Sequence, residues 1–160
     1  MEKAIIILDG CSEGKTKFNE ILKNNNYWIW NVNHLNVLSM VSHKVGWDGV
    51  RDKSYYNFIQ EFEDLTKKYF DFERNYTIEM IEKFKENSRV NILIIHNCDG
   101  KLAVELQDFY TNCFDILISS ENKSEEDCTY CKTLNYNSET FDNDVLSVVN
   151  ILTKSFDKEN

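Results

Sequence analysis

Nine residues near the N-terminus, Leu8-Asp9-Gly10-Cys11-Ser12-Glu13-Gly14-Lys15-Thr16, hold the types and spacing best suited to chemistry. They lie between an apolar run, Ala4 to Leu8, and a stretch with helical periodicity in which Phe18, Ile21 and Leu22 recur. Strand, glycine-bearing turn and helix start are the context of a phosphate-binding loop. Backbone N–H groups in such a turn surround a β-phosphate, and the helix dipole adds partial positive charge. Lys15 would reach β- and γ-phosphate oxygens, and the Thr16 hydroxyl would bind Mg²⁺. The residues expected to line the phosphates are Gly10, Cys11, Ser12, Glu13, Gly14, Lys15, Thr16 and Lys17. The usual pattern is G-x-x-x-x-G-K-[ST], and here the position five before Gly14 is Asp9. Either Asp9 replaces the first glycine or Gly10 plays that part in a loop one residue short. An acid at Asp9 or Glu13 costs electrostatic energy beside a polyphosphate unless it faces away. The competing reading is a chance G-K-T at a helix start, with Cys11 a small loop residue.

These residues need a scaffold, and the pattern predicts one. Ala4–Leu8, Tyr27–Val32, Val90–Ile95 and Phe114–Ile118 are short apolar or β-rich runs, with a weaker strand near Thr133–Tyr136. Between them lie helical stripes: Leu35, Leu38, Val41 and Val45; Tyr55 to Tyr69; Tyr76 to Phe84; Leu102, Leu106 and Phe109; Val145 to Phe156. Alternating strands and helices imply a three-layer α/β/α sandwich on a mostly parallel sheet. The aromatic stripe from Tyr55 to Tyr69 reads mainly as core. Gly46 to Asp52 (GWDGVRD) reads as a loop with two glycines.

Length and composition bound the rest. The chain has 160 residues, 18 Lys+Arg against 27 Asp+Glu, and a formal net charge of −9. One domain, 1–160, is expected. The acidic balance argues against a nucleic-acid surface, because phosphate backbones require clustered Lys and Arg. No apolar run approaches the roughly 20 residues of a membrane span. Met1-Glu2-Lys3 ahead of a five-residue apolar run is too short and acidic for a signal peptide. Five cysteines at irregular spacing do not read as a disulfide framework. A reduced cytoplasm is the expected setting.

A family resemblance accompanies these readings. Trp47-Asp48-Gly49-Val50-Arg51-Asp52-Lys53, followed by an aromatic helix ending near Glu63-Asp64-Leu65-Thr66, resembles the W-x-G-x-[KR]-D stretch of phage-type deoxynucleoside monophosphate kinases. Ile92 to His96 followed by Asn97-Cys98-Asp99-Gly100 is similar to their exit from the third strand. Leu134-Asn135-Tyr136-Asn137, then Phe141 to Leu152, is similar to their last strand and closing helix. The resemblance implies five parallel strands in the order 2-3-1-4-5, ATP and Mg²⁺ as the donor complex, and a helical acceptor-binding region over 33–88. It implies a lid-like loop over 119–131. On this reading Lys15 stabilises the transferring group, Arg51 and Arg74 hold the acceptor phosphate, and Thr16 with Asp99 serves Mg²⁺. Asp9 rivals Asp99, or acts as a general base if it points at the acceptor.

The chain departs from the family where positive charge is expected. Its only arginines are Arg51, Arg74 and Arg89, and the lid-like segment carries Glu121, Glu125, Glu126 and Asp127 against a single Lys123. The main reading, which rests on the phosphate loop and the resemblance, is a small kinase moving the ATP γ-phosphoryl group to a (deoxy)nucleoside monophosphate or similar acceptor. The alternative is a catalytically degenerate nucleotide-binding or interaction protein on the same fold.

Other constellations carry less. Cys128-x-x-Cys131 supplies two zinc ligands of four, against a reading as two loop cysteines. His96 ends a buried strand at the nucleotide crevice, either as a satisfied edge histidine or as a contact to phosphate or water. Trp47 either stacks on a base near Arg51 or closes a helix gap. His34 and His43, nine apart, support no site from sequence.

Overall fold

The computed structural model describes residues 3–120 and 131–154. In chain order the elements are β1 (Ala4–Gly10), α1 (Ser12–Asn24), β2 (Ile29–Val32), α2 (His34–Lys44), α3 (Lys53–Phe70), α4 (Phe72–Glu86), β3 (Ile92–His96), α5 (Gly100–Phe109), β4 (Cys113–Ser119), β5 (Cys131–Asn135) and α6 (Phe141–Lys154). All five strands are parallel, in the order β2-β3-β1-β4-β5. This is the α/β sandwich and strand order expected above. The lid-like reading over 119–131 falls chiefly on 121–130, outside the described residues, as does Cys128.

The sheet is buried on both faces, which is why β1 and β3 are continuous apolar runs rather than alternating ones. Ala4, Ile6 and Leu8 point into one layer with Phe18, Ile21 and Leu22 of α1 and Phe141, Val145 and Val149 of α6. Ile5 and Ile7 point into the other, with Ile81 and Phe84 of α4 and Leu102, Ala103 and Leu106 of α5. Burying each such side chain stabilises the fold by about 1.5–3 kcal/mol.

The helical region between β2 and β3 is built differently. α3 runs for 18 residues, yet only Tyr55 is buried; Phe58, Leu65, Tyr69 and Phe70 are exposed. The aromatic stripe is therefore not mainly core: its periodicity is helical, but no layer covers most of it. Asp71 takes a left-handed conformation (φ 47°) and ends α3 against the start of α4. α4 buries a stripe of Glu73, Thr77, Ile81 and Phe84. A carboxylate thus occupies the first position of a stripe that is apolar further along.

Candidate functional site

β1 ends at Gly10, and α1 begins at Ser12 with Cys11 as its N-cap. The turn is tight. Cys11 N–H donates to the Ile118 carbonyl (3.1 Å), and Lys15 N–H donates to the Cys11 carbonyl (3.0 Å) as the first helical bond. Gly14, Lys15 and Thr16 therefore lie inside the first turns of the helix rather than in an open loop around a phosphate. Both glycines have packing reasons. Gly10 has φ +118° and presses on the Ile118 carbonyl. A Cβ at Gly14 would stand 2.5 Å from Ile118 Cγ2 and 2.8 Å from Cys11 Sγ.

No side chain caps α1, so the N–H groups of Ser12, Glu13 and Gly14 have no intrahelical acceptor. Positive dipole and free donors meet there, partly opposed by Glu13 in the same turn. The Thr16 hydroxyl is exposed and donates to the Ser12 carbonyl (3.0 Å), leaving its lone pairs outward. Lys15 and Thr16 line an open cleft of about 420 Å³ together with Ser12, Asn19, Glu20, Lys23, Asn31 and His96. The cleft sits at the carboxyl ends of β1 and β3. From β1 the chain crosses by α1 over one face towards β2; from β3 it crosses by α5 over the other face towards β4. The two connections diverge between these neighbouring strands, which makes the crevice a topological switch point.

Electrostatics tie the cleft together. His96 pairs with Asn31 Oδ1 through Nε2 (2.7 Å), and burial, then the Lys15 charge, pushes its pKa down to about 4. The ring is neutral at neutral pH. Asp9 is half-buried; burial pushes its pKa up while Lys15 pulls it down. Behind it on β4, Asp115 is raised by burial and then by Asp9. Two thiols share this environment: burial pushes Cys113 up to about 12 and raises Cys98 further, with Glu73, Asp9, Cys113 and Asp115 adding to the Cys98 shift.

The remaining expected site residues lie elsewhere. Lys17 points to the other side of α1, paired with Asp142 (2.8 Å) and over the Phe141 ring. Arg74 is engaged by Glu105 of α5, its Nε donating at 2.8 and 3.1 Å. That pairing takes the guanidinium Arg74 would need for an acceptor. Asp99 caps α5 by accepting from Lys101 N–H (3.2 Å) and faces Lys67 (3.5 Å). It lines a separate cavity with Glu73 and Arg74, whereas Thr16 lines the cleft, so the two residues expected to serve Mg²⁺ do not share a pocket. Arg51 is exposed in the loop before α3. Trp47 stacks on Tyr55 (ring centroids 4.1 Å) and donates to the Val50 carbonyl (2.8 Å), closing the gap between α2 and α3.

Sequence reasoning passed over one arrangement. His34 opens α2 and is buried, its Nε2 3.0 Å from Glu63 Oε1 of α3 and 3.9 Å from Glu73 Oε2 of α4. The interruption of the α4 stripe by Glu73 was the available signal.

No protein-family model matches this chain, and no curated protein matches it. Three solution NMR structures of de novo designed proteins described as having the P-loop NTPase fold are similar to it. One is 17% identical, covers 99% of this chain and 96% of its own, and has a TM-score of 0.47. A second is 10% identical with coverages of 96% and 95% and a TM-score of 0.45. The third is 18% identical with coverages of 95% and 91% and a TM-score of 0.40. At these scores the likeness carries no functional weight beside the strand order. No helix among the described residues is long and apolar enough to cross a membrane.

Proposed function

We propose that this chain binds a nucleotide in the switch-point cleft and transfers the ATP γ-phosphoryl group to a (deoxy)nucleoside monophosphate or similar small acceptor. The observation that carries the reading is that Lys15, Thr16 and Ser12, at the amino end of α1, line one crevice. Phosphate is the ligand these groups suit: oriented donors, a helix N-terminus and a cation. With ATP bound, Lys15 would neutralise phosphate charge, and Mg²⁺ would be held by Thr16 and phosphate oxygens. Magnesium would supply charge neutralisation between the β- and γ-groups. Asp9, beside Lys15, would accept a proton from an acceptor oxygen, and burial, which raises its pKa, favours that role. Arg51, exposed in the loop before α3, would meet the acceptor phosphate.

One observation favours a second reading, binding without transfer. No arginine lines the cleft, and Arg74 is committed to Glu105. Phosphoryl transfer depends on charge neutralisation around the moving group. Product detection with MgATP and a panel of deoxynucleoside monophosphates decides between the two. Turnover with one acceptor supports transfer; saturable MgATP binding without product supports the second reading.

A further inference from the structure

We propose that His34, Glu63 and Glu73 form a binding site for one divalent transition-metal ion of the zinc class. The site is independent of the nucleotide reading. His34 Nε2 and one carboxylate oxygen from each glutamate all lie within 4.8 Å of one another. Ligand atoms 2.0–2.1 Å from a tetrahedral ion stand about 3.3–3.4 Å apart. The two His34–glutamate separations, 3.0 Å and 3.9 Å, bracket that edge, and no pair of the three ligand atoms lies more than 4.8 Å apart, so side-chain rotation would close the site around an ion.

Burial and charge point the same way. His34 is 3% exposed and Glu73 is 9% exposed. Glu73 Oε1 accepts from the Asp99 backbone N–H (2.7 Å), which fixes the carboxylate. Its Oε2 turns to His34 Nε2 at 3.9 Å, beyond hydrogen-bond reach, and no other hydrogen bond reaches it among the described residues. Two carboxylates on one imidazole also leave excess negative charge whether the ring is neutral or protonated. A dication balances both carboxylates around a neutral ring.

The donor set selects the ion. An imidazole nitrogen with two carboxylate oxygens suits Zn²⁺ and its neighbours; Mg²⁺ and Ca²⁺ favour all-oxygen shells, and Cu(I) favours sulfur. Glu73 also lines a cavity of about 200 Å³, and Glu63 is partly exposed, which gives access and room for a water as fourth ligand. Each ligand comes from a different helix, so the ion would tie α2, α3 and α4 together where α3 buries only Tyr55. The Asp99 amide extends that tie to the loop after β3.

Co²⁺ titration of the full chain, stripped of metal by chelator, tests this. One ion per chain should bind, with the visible d–d absorption of a low-coordinate site, and Zn²⁺ should displace it. His34→Gln and Glu73→Gln should each weaken Co²⁺ binding more than about tenfold, whereas a Cys128→Ser/Cys131→Ser double variant should bind as wild type. Zn²⁺ should raise Tm in wild type and the cysteine variant but not in Glu73→Gln, which keeps the side-chain volume and serves if His34→Gln does not fold. Absence of a saturable Co²⁺ spectrum in wild type overturns the proposal. So does binding retained in Glu73→Gln or lost in the cysteine variant.

Discussion

Gly10 lies hard against the carbonyl of Ile118, and the same residue's Cγ2 would meet a Cβ at Gly14 at 2.5 Å. The end of β4 thus explains two glycines that sequence alone assigns to phosphate. Gly10→Ala adds a clash with backbone to a strained φ and should destabilise the protein by about 1–3 kcal/mol or more. Gly14→Ala meets side-chain atoms that can shift and should cost less. Urea denaturation of both variants checks the ranking; a Gly10→Ala protein as stable as wild type would contradict the packing.

Arg74→Ala should leave acceptor binding unchanged, because the guanidinium is held by Glu105. Its stability cost should be small, because solvent screens a pair at the surface. Arg51→Ala should instead weaken acceptor binding or transfer about tenfold or more, through loss of a charge-assisted hydrogen bond, with MgATP binding less affected. Titration of each variant with both ligands separates the roles.

The pH dependence of stability should carry the mark of His96. Its folded pKa, about 4, lies below the ordinary 6.5. Between those values the unfolded chain binds a proton that the native ring refuses, so stability falls as pH drops from about 6.5 to about 4. Below that window this group costs nothing further. His96→Gln, able to keep a bond to Asn31, should flatten the slope over that range. Asp115 acts in the opposite sense: its raised pKa means the native state holds a proton longer than the unfolded state. Asp115→Asn should therefore stabilise the protein at neutral pH. Chemical denaturation from pH 4 to pH 8 reads both effects.

Cys98 and Cys113 are protonated at neutral pH, since burial raises both pKa values well above the ordinary thiol. The thiolate is the nucleophile. In the folded protein both should resist iodoacetamide at pH 7.5, and both should label once denaturant unfolds the chain. Mass spectrometry after pulsed alkylation checks this; fast labelling in native buffer of buried Cys113 or half-buried Cys98 would contradict the account.

The sheet was legible because its strands are unbroken apolar runs punctuated by helical stripes, and parallel strands buried on both faces leave that mark. Ala4–Leu8 and the loop Gly46–Asp52 fell where the pattern placed them, and the strand expected over Val90–Ile95 runs Ile92–His96. Periodicity shows that a helix face is apolar but not what covers it, and so the stripe of α3 misled. Sequence proximity alone groups Lys17 with Lys15. Two positions on a helix differ by about 200° in azimuth, which sends one lysine to the cleft and the other to Asp142. His34, Glu63 and Glu73 come from three helices and meet only through the α3–α4 reversal at Asp71, which the sequence marks with no glycine or proline.

Calorimetry of MgATP binding to wild type and Lys15→Ala tests the central claim most directly. Lys15 lines the cleft and forms no ion pair among the described residues, so the variant should fold with unchanged Tm and bind MgATP at least about tenfold more weakly. Equal MgATP affinity in the two proteins, or no saturable binding to wild type, would contradict nucleotide binding at this cleft.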